Sequence, residues 1–181
     1  MMIKIATAVN RRTNQFNNEE MSLDAFYDRL SKTVVGKETM DEYLALPKAE
    51  RDELKDVGGF VGGWLKDGKR RKGHVLTRSL LTLDIDYGVP GIIDEISVLH
   101  GFSCCFYSTR KHTNEHPRLR IVVPLSREIT EEEYEPVARM LASDIGMDYF
   151  DDSTYQAERM MYFPSTCKEA PFVFEIVEEM L

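Results

Sequence analysis

Apolar positions along the chain change their period near residue 79. Before it the pattern is helical in pieces. Residues 2–8 form a short strand, closed by a polar run from Asn10 to Asn18. Ser22 then caps a helix whose Leu23, Phe26, Tyr27 and Leu30 recur at helical spacing. Thr39 with Glu42 reads as a capping box opening a second helix, which Pro47 interrupts. A third piece runs to about Lys55, and the glycine-rich run 58–63 then breaks the pattern.

Beyond residue 79 strands dominate. Leu80 to Asp86 alternates, with Leu81, Leu83 and Ile85 on one face. Gly91 to His100 reads as a helix with Ile92, Ile93, Ile96 and Leu99 turned inward. Ser103 to Ser108 and Arg118 to Leu125 form a strand pair joined by a polar loop. Thr130 with Glu133 is a second capping box, starting a helix to about Ile145 that Pro136 should kink or delay. Short strands at 159–163 and 172–177 complete the chain. Interleaved strands and helices predict an α/β (α+β) domain around one sheet, with no linker or repeat to divide residues 1–181.

Composition narrows the class. The 181 residues are 43% hydrophobic, enough for an ordinary core and too many for a disordered chain. No apolar window reaches the roughly 18 residues of a membrane span, and the N-terminus shows no secretory signal. Cys104, Cys105 and Cys167 are neither a disulfide framework nor a zinc set, so a reducing cytoplasm is the expected setting. A net charge of −8 excludes a protein that coats nucleic acid with its whole surface. Basic residues nevertheless gather at 66–72 and 110–120, where the bland alternative is a solvated loop.

The strongest chemical feature is the Asp84-Ile85-Asp86 string at the end of an apolar strand. Residues i and i+2 share a strand face, so the two carboxylates stand about 6.6 Å apart and pointing the same way. Such a pair repels unless a cation sits between its members, and two Mg²⁺ ions suit the arrangement. Solvated acids at a strand end are the bland alternative. Arg118 and Arg120 share one face of the later strand, with Leu119, Ile121 and Val123 on the other. Together with His112 they make a triphosphate clamp beside a metal site. His112 and His116 have zinc-helix spacing, but Pro117 and the missing glutamate exclude a zinc-protease motif. Asp151 and Asp152 offer a third carboxylate, although Asp-Asp-Ser-Thr is also an ordinary turn string. The run Gly63 to Arg70 nearly matches a phosphate loop and fails where Arg70 replaces the Ser or Thr that holds Mg²⁺.

Three runs carry a family resemblance: residues 55–63, residues 78–86, and Asp151 to Tyr155 with Arg159 and Pro164. They resemble the N-terminal primase domain of phage and mobile-element primase-helicases, within the archaeo-eukaryotic primase (primase-polymerase) superfamily. The resemblance implies an RRM-like core sheet with flanking helices and an added N-terminal α/β unit. It places the hydrophobic-Asp-x-Asp motif on Asp84 and Asp86, and a third metal acid on Asp152, with Asp151 the close alternative. The family's Ser-x-His motif is departed from here, since Ser108 and His112 are separated by three residues. That leaves open whether His112 or Arg118 and Arg120 contact the nucleotide, with Ser108 and Lys111 beside them. The implied activity is primer synthesis by two-metal nucleotidyl transfer with Mg²⁺ or Mn²⁺. Its partners would be a single-stranded DNA template, tracked by Lys69, Arg70, Arg71 and Lys72, nucleoside triphosphates, and a helicase domain or protein. On this reading the chain is either the N-terminal part of a primase-helicase or a stand-alone protein. The rival readings are a non-catalytic replication-initiator or DNA-binding module of the same fold, and a metal-dependent nuclease using the same acids.

Overall fold

The computed structural model describes residues 1–178. The first half contains β1 (Met2–Ala8), β2 (Asn17–Ser22), α1 (Leu23–Leu30), β3 (Val34–Val35), α2 (Met40–Ala45), α3 (Lys48–Leu54), β4 (Gly59–Val61) and β5 (Gly63–Leu65). The second contains β6 (Val75–Ile85), α4 (Ile92–His100), β7 (Cys104–Ser108), β8 (Leu119–Ile129), α5 (Glu131–Ile145), β9 (Met161–Tyr162), β10 (Ser165–Thr166) and β11 (Phe174–Val177).

Local signals set the helix starts. The Ser22 hydroxyl accepts from the Ala25 amide at the head of α1. Both reciprocal bonds of the capping box form at Thr39–Glu42 and again at Thr130–Glu133. Pro47 separates α2 from α3 by capping the latter, and α5 runs on through Pro136. One expectation fails on α4: Ile92 and Ile96 are buried, but Leu99, in the last turn of the helix, is 66% exposed although its spacing puts it on their face.

The glycine-rich run is where pattern and structure part most. It is not a break but two strands, β4 and β5. A Cβ at Gly59 would stand 2.4 Å from the Met161 carbonyl oxygen, and one at Gly63 would stand 1.9 Å from that of Thr77. Glycine is required there because neighbouring backbones come too close for any side chain. β2 was also absent from the pattern, since an edge strand reading Asn-Asn-Glu-Glu-Met-Ser shows no apolar alternation.

The strands build two main sheets. One is ordered β2-β1-β4-β9, and the other is ordered β11-β7-β8-β6-β5. β10 and β3 form a small parallel pair that ties the two halves of the chain together. The run β6-α4-β7-β8-α5 has the β-α-β-β-α order of a split βαβ unit, as the RRM-like expectation required. The open edge of β6 is taken by β5 from upstream, while β11 adds outside β7.

Both faces of the five-stranded sheet are covered. Leu81, Leu83, Ile85, Phe106 and Ile121 pack with Ile92 and Ile96 of α4 and Tyr134, Ala138 and Ala142 of α5. Leu80, Cys105, Tyr107 and Val122 on the other face pack with Ile3, Ile5, Phe26 and Leu30 from the N-terminal unit. The face bearing Asp84 is therefore apolar over much of its length. It opens only where β6 ends. The three cysteines are free and buried, and burial pushes the Cys104 thiol up to about 12.

Candidate functional site

A cleft of about 400 Å³ lies where α3, the ends of β6 to β8 and the 150–165 segment meet. The strand register builds its floor. Arg120 of β8 stands opposite Asp84 of β6 and opposite Tyr107 of β7. Arg120 Nε donates to Asp84 Oδ1 at 2.5 Å, and Nη1 donates to the Tyr162 carbonyl at 2.7 Å. Two residues along, Arg118 Nη1 lies 3.3 Å from Asp86 Oδ1. The two arginines thus share a face with the two acids, as the alternation predicts. The inner pair is buried and the outer pair is half-open, the Arg118 and Asp86 side chains being 30% and 29% exposed.

A loop strapped onto β6 brings in a third acid. The Thr154 hydroxyl receives the Asp84 amide at 2.9 Å and donates to the Thr82 carbonyl at 3.2 Å. Tyr134 of α5 donates to the Thr82 carbonyl at 3.1 Å from below. The Asp151 amide in turn donates to the Asp84 carbonyl at 3.1 Å. Asp151 lines the cleft and caps the short 3₁₀ turn at 152–155, its Oδ1 accepting from the Ser153 amide and hydroxyl. Asp152, the preferred third acid of the sequence reading, is exposed and lies outside the cleft lining. The capping role explains the difference: the cap residue is fixed against the strand, and the next residue turns outward.

Two other expected nucleotide contacts are placed differently. His112 is buried and absent from the cleft lining. Its Nδ1 accepts from the Arg118 amide at 3.2 Å, which puts the ring proton on Nε2, a buried atom with no partner. Burial holds its pKa below the ordinary histidine value. His112 therefore orders the backbone that carries Arg118. Ser108 does reach the cleft, but its hydroxyl accepts from the Val173 amide at 2.9 Å. Lys111 lines the cleft. Arg110, not singled out from the sequence, lines it as well and forms a buried ion pair with Glu38. It stands two residues after Ser108, where the Ser-x-His motif would carry histidine, and that spacing was the signal that could have found it.

Electrostatics favour a cation at the acids. The Asp86 carboxyl is raised above the ordinary aspartate value, first by burial and then by Asp84 and Asp151, with Arg118 opposing. Burial also pushes Asp151 upward, but the two Ser153 hydrogen bonds and the nearby Arg159 and Arg118 bring it net below its usual value. Aspartate oxygens are hard donors of the kind Mg²⁺ and Mn²⁺ take. Among the described residues no three ligating side chains are gathered around one point, and Asp84 and Asp86 are paired with Arg120 and Arg118. The donor chemistry fits a divalent cation, provided that the long Arg118 contact is released.

A stability prediction follows from Asp86. Its folded pKa is raised, so its ionised form is penalised and its contribution to stability is lost as pH rises through that value. Asp86→Asn should therefore melt above wild type at neutral pH, with the gap closing as pH falls through the Asp86 titration. A constant gap across thermal melts from about pH 4 to 7 would show that Asp86 is not the strained group.

The basic loop lies apart from the acids. Lys69, Arg70, Arg71 and Lys72 are all exposed, and the first three line a shallow groove with Arg11 and Arg12. Arg11, Arg12 and Arg70 also line a further depression that reaches Lys55, Arg120 and Arg159 at the cleft. No helix among the described residues is long and apolar enough to cross a membrane.

The profile of the VapE N-terminal domain family matches residues 1–181. No curated protein matches. Among solved structures, the AEP domain of the primase-polymerase of cyanophage S-2L is similar, with 12% sequence identity and a TM-score of 0.49. That similarity covers 99% of this chain and 82% of that one.

Proposed function

This chain belongs to the VapE N-terminal domain family, and from that premise and the primase resemblance of its motifs we propose a metal-dependent nucleotidyltransferase that makes primers on single-stranded DNA. The observation that carries the reading is the composition of one cleft. Asp84, Asp86 and Asp151, from two separate segments, line it together with eight lysines and arginines. Acids for cations beside a surplus of basic charge suit a substrate that is itself an anion bound with metal.

Two divalent cations held by Asp84, Asp86 and Asp151 would supply charge neutralisation at the phosphates and a lowered pKa at the attacking hydroxyl. The protein's own parts divide the remaining work. Arg120, gripped by Asp84 and the Tyr162 carbonyl, keeps the Asp84 carboxylate in one orientation. Arg118 neutralises Asp86 in the free protein and is the group released when Asp86 turns to another ligand. Thr154 and the Asp151 amide fix the third acid against the strand. The groove at Arg11, Arg12 and Lys69 to Arg71 would carry the template strand, and a helicase domain or protein is the expected functional partner.

Synthesis of dinucleotides on single-stranded DNA with Mn²⁺, resolved on a gel, tests the proposal. Product made by wild type and lost in Asp86→Asn supports it. Strand binding without any product would make the chain a binding module instead, and cleavage of the DNA without added nucleotide would make it a nuclease.

The template groove has its own test. Changing Lys69, Arg70 and Arg71 to Ala should weaken single-stranded DNA binding and flatten its salt dependence. Each lost phosphate contact lowers the slope of log affinity against log salt by about 0.7. If the slope in a fluorescence-anisotropy titration does not change, the loop is merely solvated.

A further inference from the structure

Four of the eight cations lining the cleft already have carboxylate partners. Arg118 pairs with Asp86, Arg120 with Asp84, Lys55 with Asp52, and Arg110 with Glu38. Lys48, Arg51, Lys111 and Arg159 have no carboxylate within ion-pair distance among the described residues. They come from three segments. Lys48 and Arg51 are three residues apart on α3 and so share a helix face. Lys111 sits on the β7–β8 connection, and Arg159 follows the strapped 151–155 turn.

Two further observations mark this group as awaiting an anion. The buried Nε atoms of Arg51, Arg110 and Arg159 have no hydrogen-bond partner. Buried N–H donors are rarely left unmatched, and three around one cleft leave several acceptor positions unfilled. Lys111 is also held below the ordinary lysine pKa, first by burial and then by the positive charges of Arg118, Arg51 and Lys55. Cations from separate segments are thus crowded together without ion-pair partners of their own, and Asp86 offsets only part of their effect on Lys111.

We propose that Arg51 and Lys48 of α3, with Lys111 and Arg159, seat the polyphosphate tail of a nucleoside triphosphate. The assignment rests on the nucleotidyltransferase reading and moves the phosphate grip away from Arg118 and Arg120, which the acids occupy. It also makes the substrate a bridge, since α3 belongs to the N-terminal half and Lys111 to the connection between β7 and β8 of the five-stranded sheet. A polyphosphate is favoured over a strand backbone because these cations converge on one cleft, whereas a strand spreads its charges along a track. The exposed 69–71 loop has that second character.

The test is calorimetric titration of inorganic tripolyphosphate into the full chain with EDTA present. Wild type should bind without metal. Arg51→Ala and Lys111→Ala should each weaken binding about tenfold or more, the usual scale for a charge-assisted hydrogen bond. Arg51→Lys should recover part of the loss, and matched melting curves would establish that the variants are folded. Asp86→Asn should bind at least as tightly as wild type, because it removes a negative charge from the cleft. Unchanged affinity in Arg51→Ala overturns the assignment. So does an Arg51→Ala variant that loses an oligo-dT strand while keeping tripolyphosphate. Absence of tripolyphosphate binding by wild type also overturns it, and the Mn²⁺-dependent dinucleotide assay then decides separately whether the nucleotidyltransferase reading stands.

Discussion

Asp84→Ala is expected to abolish primer synthesis and to cost about 3–5 kcal/mol of stability, whereas Asp86→Asn abolishes synthesis in a protein that stays folded. The two acids look equivalent in the sequence, two residues apart on one strand face. Their surroundings are not. Asp84 is 6% exposed and is the carboxylate partner of Arg120, whose side chain is 11% exposed. Burial pulls the Arg120 pKa down, but Asp84 and Tyr107 outweigh it and raise it, so the guanidinium stays charged. Removing Asp84 leaves that charge buried and unpaired, which is the costly way to break an internal ion pair. Asp86 sits at the open end of the strand, its contact with Arg118 is long, and its ionised form is already penalised. Urea melts of the two variants separate these outcomes. An Asp84→Leu/Arg120→Met double variant should regain most of the lost stability without regaining synthesis, because two apolar side chains of similar volume can replace a buried pair. If Asp84→Ala is as stable as wild type, the pair contributes nothing to the fold.

The site was legible in the sequence as far as alternation reaches. Period two on β6 and β8 puts Asp84 and Asp86 on one face and Arg118 and Arg120 on one face, and pairing brings the two faces into register. Capping chemistry located α2 and α5 to the residue. What was illegible depends on long-range approach. The run 58–63 reads as a chain break because glycine is the common breaker, yet here it allows β4 and β5 to lie against other backbones. Lys48, Arg51 and Lys55 carry no local signal of a site, and only the fold turns their helix into a cleft wall. Which of Asp151 and Asp152 lines the cleft depends on which residue caps the following turn, and that residue is Asp151. Arg110 lines the cleft, whereas His112, two residues on, is buried outside its lining.

Arg78 carries the second large expected effect, outside the acids altogether. Among the described residues it is the largest fully buried side chain, at 0% exposure, and it has no carboxylate partner there. Its guanidinium is satisfied by carbonyls and a hydroxyl instead. Nε donates to Gly62 O at 3.2 Å, Nη2 to Leu80 O at 3.0 Å and Thr82 Oγ1 at 2.9 Å, and Nη1 to Ala157 O. The Tyr134 ring lies 4.0 Å away, which adds a cation–π contact in a dry setting. One side chain thereby joins the β4–β5 connection, β6, and the segment between Asp151 and Arg159. Arg78→Ala removes all of these bonds and leaves a cavity, and is expected to lose about 3–5 kcal/mol. Arg78→Met refills most of the volume without the charge, so it should recover much of that stability while leaving the Ala157 carbonyl untethered. Stability and function then separate. The Met variant should melt near wild type but make less primer, because the segment carrying Asp151 and Arg159 loses its anchor to β6. If Arg78→Met matches wild type in both chemical melts and dinucleotide synthesis, the guanidinium fork only fills space, and Thr154 and the Asp151 amide alone position the third acid.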